Sequence, residues 1–225
     1  MSNQLFDTLP EQYNRWFKTP IGALVMQCER TLILDLLQPQ KNELILDAGC
    51  GTGIFTRTVI DHGSQVVGLD LSVPMLQYAC GALPAPGFTP VAADMLALPF
   101  TDNQFDKTLS VTALEFIEDA GTAIDELFRI TRPKGCMVIA TLNSLSPWAE
   151  RRRIEARAKD HSVFKGAYFR SPDQLSVLAP VEGMIKTAIH FANDADPSEA
   201  RKIETDGQKA GVQTGAFVIG RWRKQ

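Results

Sequence analysis

Leu44-Ile45-Leu46-Asp47-Ala48-Gly49-Cys50-Gly51-Thr52-Gly53 reads as a short buried strand that runs into three glycines at alternate positions and then into a helix. Glycines in such a loop let the backbone approach a ligand and aim amide N–H groups at it. The next apolar run, Gln65-Val66-Val67-Gly68-Leu69, ends at Asp70, 23 residues after Asp47. That spacing suits an acid that accepts ribose hydroxyls in a nucleotide-type fold.

Outward from this stretch, two kinds of segment alternate. Strand-type runs recur at Thr89–Ala93, Phe105–Val111 and Cys136–Thr141, and helix-type stretches lie at roughly 53–62, 72–82 and 120–131. Buried strands alternating with helices imply βαβ units and a parallel sheet. Ser72 is placed to cap a helix with Pro74 in its first turn. Ala123, Ile124, Leu127, Phe128 and Ile130 form an apolar face at helical spacing, and Pro133-Lys134-Gly135 stops that helix. Residues 1–38 read as an N-terminal helical lid segment whose helices are broken at Pro20. Residues 143–180 read as an insertion, and 184–191 and 214–222 as two last strands with a polar, helix-capable segment between them. The expected architecture is a Rossmann-like, doubly wound α/β domain. It has a mostly parallel seven-stranded sheet, an antiparallel last strand and helices on both faces.

The loop chemistry separates two ligand classes. A dinucleotide site carries G-x-G-x-x-G, because a pyrophosphate rests on the helix N-terminus. Here the pattern is G-x-G-x-G, with Asp47 two residues before the first glycine. A carboxylate would repel a pyrophosphate. S-adenosylmethionine has no phosphate, and its ammonium and sulfonium tolerate a nearby acid. A purely structural glycine turn is the bland alternative, and the placement of Asp70 counts against it.

The chain resembles class I S-adenosylmethionine-dependent methyltransferases, the small-molecule group that includes the ubiquinone and menaquinone methyltransferases. The likeness covers residues 40–142. It rests on Leu46–Gly53, Gly68–Ser72, Ala93–Phe100, Phe105-Asp106 and Arg132–Gly135, in that order. It implies that Gly49, Cys50 and Gly51 pack under the methionine part of the cofactor, with Asp47 near its ammonium. It implies that Asp70 accepts both ribose hydroxyls, that Asp94 and Met95 meet the adenine edge, and that Leu71 and Met75 flank the ring. Val111 and Thr112 would lie beneath the methionine tail. Each acid also has a local reading as a loop or helix cap.

Beyond the cofactor positions the pattern is less decisive. Many relatives carry a histidine after the fourth strand, where this chain has Leu114-Glu115-Phe116. Glu115 reads either as a base or acceptor-binding acid or as a solvated helix residue. The solvated reading is favoured because charged residues are mostly exposed. Glu115, His161 and Tyr168 are the candidate catalytic residues, and none is assigned. Tyr13, Trp16 and Phe17 fall on one helical face, either packed on the sheet or closing as a lid over the cofactor. The run Arg151, Arg152, Arg153, Arg157 and Lys159 is interspersed with acids, so a solvated face is favoured. A basic, aromatic wall for an acidic or aromatic acceptor is the functional reading.

Composition sets the remaining bounds. With 225 residues, 44% apolar, 22% charged and a formal net charge of −3, the chain is one globular domain with little global attraction for nucleic acid. Cys28, Cys50, Cys80 and Cys136 form no C-x-x-C pair, so neither a metal site nor a disulfide framework is expected. No signal peptide or long apolar run is visible, and a cytoplasmic location is expected. The expected partner is a small-molecule methyl acceptor, with the protein a monomer or homodimer. The competing functions are a non-catalytic S-adenosylmethionine- or nucleoside-binding regulatory module and a methyltransferase acting on tRNA or protein.

Overall fold

The computed structural model of the protein describes residues 10–158 and 162–225, without the side chains of Pro10, Gln12 and Tyr13. In chain order the elements are α1 (Pro10–Trp16), α2 (Pro20–Leu37), β1 (Leu44–Ala48), α3 (Thr56–Ile60), β2 (Gln65–Asp70), α4 (Val73–Ala82), β3 (Phe88–Ala92) and β4 (Phe105–Val111). A 3-10 turn (Leu114–Phe116) follows, then α5 (Ala120–Ile130), β5 (Thr131–Leu142), α6 (Pro147–Ala158), α7 (Pro172–Ser176), β6 (Gly183–Ala188), α8 (Pro197–Ala210) and β7 (Phe217–Arg223).

The strands form one seven-stranded sheet in the order β3-β2-β1-β4-β5-β7-β6. β1 pairs in parallel with β2 and β4, and β7 runs antiparallel to both neighbours. Period-two alternation sends successive residues to opposite faces. Ile45, Val138 and Ile219 join a core with α2, α3 and α8, whereas Leu46, Ile139 and Val218 join a second core with α5 and α7. Trp222 is fully buried in the latter. Strand order reverses about β1, and the carboxyl ends of β1, β2 and β4 border that switch point, where open α/β sheets bind ligands.

Several boundaries differ from the sequence expectation. The helix after the glycine loop is confined to α3, because Gly51 and Gly53 are left-handed and the chain turns until Phe55. Thr131 already pairs with Phe105, so β5 begins before Pro133. Residues 132–135 then bulge, with Lys134 left-handed, before Cys136 meets Lys107. Pro20 stands at the break between α1 and α2 and opens the second helix: Thr19 caps α2, its side chain accepting from Gly22 N at 3.1 Å. α2 is a core helix, burying Leu24, Leu32, Ile33, Leu36 and Leu37 against β5 and β7. Each such side chain contributes roughly 1.5–3 kcal/mol of burial. Among the described residues of the segment expected as a lid, α1 stands beside the loop.

Two family-type motifs prove to be structural ties. Asp106 accepts from Leu44 N at 2.6 Å and pairs with Arg132, fastening β1 and the β5 bulge to the foot of β4. Arg129 donates to the carbonyls of Leu98 and Phe100 and pairs with Glu126 and Asp102, which holds the Leu98–Phe100 loop on α5.

Candidate cofactor and acceptor site

The glycine loop is drawn onto the end of β2. Gly49 N and Cys50 N both donate to Leu69 O, at 2.7 and 3.0 Å. Gly49 has φ 73°, and a Cβ there would lie 2.3 Å from Ala113 Cβ. No L side chain fits that conformation and that gap. Gly51 differs: it is left-handed at φ 53°, but a Cβ on it would meet nothing within 4 Å. Open space therefore lies over the backbone of Gly51. Asp70 borders it, Oδ2 accepting from Gly51 N and Oδ1 from Ser72 N, both at 2.8 Å. A carboxylate accepts hydroxyl donors, so this one is of the kind that binds ligand hydroxyls.

Asp47 lies below the loop, 2% exposed, with Thr56 Oγ1 donating to its Oδ2 at 2.6 Å. Burial pushes its pKa up to about 7; the Thr56 bond opposes this and the Asp70 charge adds to it. Asp94 is exposed and accepts from Leu96 N at 2.9 Å, a local turn that occupies one oxygen. Met95 and Met75 are buried, and Leu71 is 47% exposed beside them in the chain order expected for a ring site. Cys50 is buried and its thiol is raised well above its ordinary value, chiefly by burial. Val111 is buried. Thr112 is left-handed at φ 50°, rare for a β-branched residue, and its N–H is tied to Ala140 O at 2.9 Å. Such strain at a strand end marks a position held by its surroundings.

α1 reaches the same loop: Thr52 Oγ1 donates to Asn14 Oδ1 at 2.9 Å. Trp16 ends α1 and packs edge-on against Trp148 of α6 at 6.4 Å and against Phe17 at 4.8 Å. The amino-terminal segment and the insertion therefore touch. The side chain of Tyr13 and all of His161 lie outside the described residues.

On the insertion side the basic run divides. Arg151 pairs with Glu155 and Arg153 with Glu150 on the exposed face of α6. Arg152 turns inward, its guanidinium 5.4 Å from the Trp148 ring centre and 5.3 Å from that of Phe164. Phe116 stacks on Phe164. Glu115 is not solvated, as had been expected, but completely buried. It sits on a 3-10 turn folded back under residues 168–170, and Thr141 Oγ1 donates to its Oε2 at 3.0 Å. Tyr168 is 42% exposed and contributes its backbone, with its N–H donating to Glu115 O at 2.8 Å.

A model of the methyltransferase domain matches residues 46–139. The chain is 32% identical to malonyl-[acyl-carrier protein] O-methyltransferase of Erwinia pyrifoliae over 204 residues, covering 81% of this chain and 77% of that protein. The same enzyme of Pseudescherichia vulneris is 41% identical over 113 residues, covering 50% of this chain and 44% of that protein. Demethylmenaquinone methyltransferase of Beutenbergia cavernae is 28% identical, covering 81% and 83%. The chain belongs to the S-adenosylmethionine-dependent methyltransferases. An S-adenosylmethionine-dependent methyltransferase of Thermotoga maritima shares the fold, with a TM-score of 0.74 over the whole of both chains at 20% identity.

The cofactor of the methyltransferase is thus S-adenosylmethionine, and the residues present fit it. The open face of Gly51 and the fixed Asp70 carboxylate form an acidic cradle, which suits a cofactor without phosphate. Among the described residues no helix of the methyltransferase is long and apolar enough to cross a membrane, and no cluster of metal-binding side chains occurs.

Arg170 and Glu29 carry structure that sequence reasoning did not single out. Arg170 is 9% exposed and donates to Leu114 O at 2.8 Å, Ile117 O at 2.9 Å and Tyr168 O at 3.0 Å. It fixes the turn that carries Glu115. Arg170→Ala should therefore cost about 3–5 kcal/mol, the scale for deleting one partner of a buried charged group. Lysine, a point charge without the planar fork, should recover only part of this. Denaturant unfolding measures both, and a loss below about 1 kcal/mol would show that the turn holds itself.

Proposed function

We propose that the protein transfers the methyl group of S-adenosylmethionine to a small-molecule acceptor by direct in-line displacement. The observation that carries this reading is the open face over Gly51 next to the doubly anchored Asp70 carboxylate. On this reading Asp70 holds the ribose, the Gly49–Gly51 backbone and Asp47 the methionine end, and Met95 and Met75 the adenine. The Erwinia and Beutenbergia relatives are named for a malonyl-[acyl-carrier protein] and a menaquinone precursor, which favours a metabolite over tRNA. The net charge of −3 points the same way.

When bound, the cofactor supplies a methyl group already activated on a sulfonium. What is left to the protein is alignment and exclusion of water. Alignment is worth on the order of 7–11 kcal/mol in the best intramolecular cases. Trp16, Trp148, Phe116 and Phe164 supply an apolar wall for the acceptor side. Calorimetry with S-adenosylhomocysteine and with NAD tests the cofactor assignment. S-adenosylhomocysteine should bind and NAD should give no heat; the reverse result removes this reading.

A further inference from the structure

Two buried carboxyl groups converge on the acceptor side from elements far apart in the chain. Glu115 comes from the 3-10 turn after β4 and Glu29 from the middle of α2, 0% and 5% exposed. Glu115 Oε2 is held by Thr141, but Glu115 Oε1 and Glu29 Oε2 are buried with no hydrogen-bond partner among the described residues. Leaving a buried acceptor atom unpaired is costly, and more so for a charged group. An apolar side chain would avoid that cost in a merely structural role.

The positive charges facing these groups come from two arginines. Arg152 reaches in from α6 and acts on both carboxyls. Arg170 also acts on Glu115, although its fork is committed to three carbonyls. Thr141 of β5 and the backbone of Glu115 itself supply neutral donors. An ionised carboxylate acceptor would thus meet two carboxyl groups in a dry setting. A neutral hydroxyl or amine would instead supply the hydrogen bond that each free oxygen lacks.

Resting on the methyl-transfer reading above, we propose that Glu115 is the base that receives the proton of an acceptor whose reacting atom is a neutral O–H or N–H. Glu29 binds that acceptor's second polar group. The acceptor's lone pair forms the new bond to the methyl carbon. The carbon–sulfur bond breaks with its electron pair left on sulfur, and the acceptor's proton passes to Glu115. Burial places the groups for these roles. It raises Glu115 to about 7, against the contributions of its own backbone N–H, Thr141, Arg152 and Arg170. It raises Glu29 to about 8, with Arg152 opposing and the Glu115 charge reinforcing. As pH rises Glu115 is the first of the two to ionise, which leaves Glu29 as the carboxylic acid beside it.

Catechol is a suitable probe because it offers two O–H groups and stays neutral through this range. Its dimethyl ether is the donor-less control, and malonate the carboxylate control. Calorimetry is run on the S-adenosylhomocysteine-loaded protein. Catechol should bind at least about ten-fold more tightly than either control, since a site built to bond a hydroxyl rejects analogues that lack it. Its affinity should rise with pH through about 7 as Glu115 ionises. Glu115→Gln should abolish that rise and leave S-adenosylhomocysteine affinity unchanged. Thr141→Val, which removes a bond favouring the Glu115 carboxylate, should move the midpoint upward. Glu29→Gln should weaken catechol at every pH while keeping the rise. Tighter binding of malonate, no preference for catechol over its ether, no catechol binding, or a pH dependence that survives Glu115→Gln and ignores Thr141→Val would each overturn the proposal. Failure of the wild-type protein to bind S-adenosylhomocysteine would instead overturn the cofactor assignment beneath it.

Discussion

Asp70→Ala should weaken S-adenosylhomocysteine binding by ten-fold or more. The Asp70 carboxylate is pinned by Gly51 N–H and Ser72 N–H at 2.8 Å each, so its orientation is fixed before a ligand arrives. Hydrogen bonds to a charged group are worth about 1.5–3 kcal/mol net, and a factor of ten is about 1.4 kcal/mol. Asp70→Asn keeps one acceptor oxygen and should lose less. The same variants should cost the apo protein only about 1–2 kcal/mol, because the anchor of the glycine loop is lost but the sheet below it is not. Calorimetry and denaturant unfolding on one set of variants separate the two roles. Lost stability with unchanged affinity would make Asp70 a loop clip and remove it from the ribose.

The parts of this molecule legible in sequence are those encoded locally. Strands β1 to β5 announced themselves as apolar runs between turn residues. The G-x-G-x-G loop and Asp70 sit as their spacing implied, with Gly51 N–H on the Asp70 carboxylate. The polar segment between the last strands is α8, and β7 is the antiparallel strand. The failures share a cause. Glu115 looked solvated because a charged residue is usually exposed; what buries it is Arg170, 55 positions on, through carbonyls that any sequence would have. α2 was grouped with a lid because its partners, β5 and β7, lie far along the chain. One signal was available and passed over. Val25, Glu29 and Ile33 are spaced by four, so Glu29 interrupts the apolar stripe of α2. An acid on a buried helical face is expected to be paired or functional.

Raising the pH from about 5.5 to about 8.5 should destabilise the apo protein by a few kcal/mol, on the order expected for several shifted groups. Three carboxyls carry most of this. Burial raises Asp47 and Glu115 to about 7 and Glu29 to about 8, whereas unfolded carboxyls titrate near ~4. Between those values the native state holds protons that the unfolded state has released, so stability falls as pH rises. His190 adds to the same slope. Burial opposes its charged form, but the hydrogen bond and charge of Glu204, 3.1 Å from Nδ1, outweigh this and raise its pKa. A raised histidine contributes fully below about 6.5 and is lost as pH passes its folded value. Glu204 works from the other side. Burial favours its acid form, but the bonds from His190 and Gln208 hold it below the ordinary value, so its contribution disappears only in acid. Denaturant midpoints across the range measure the slope, and Glu29→Gln should flatten it. A flat wild-type profile would mean that these carboxyls are solvated. Saturating S-adenosylhomocysteine should also reduce the slope, because an ammonium beside Asp47 favours its carboxylate. If the ligand binds and the slope does not change, Asp47 serves Thr56 and the loop instead of the methionine end.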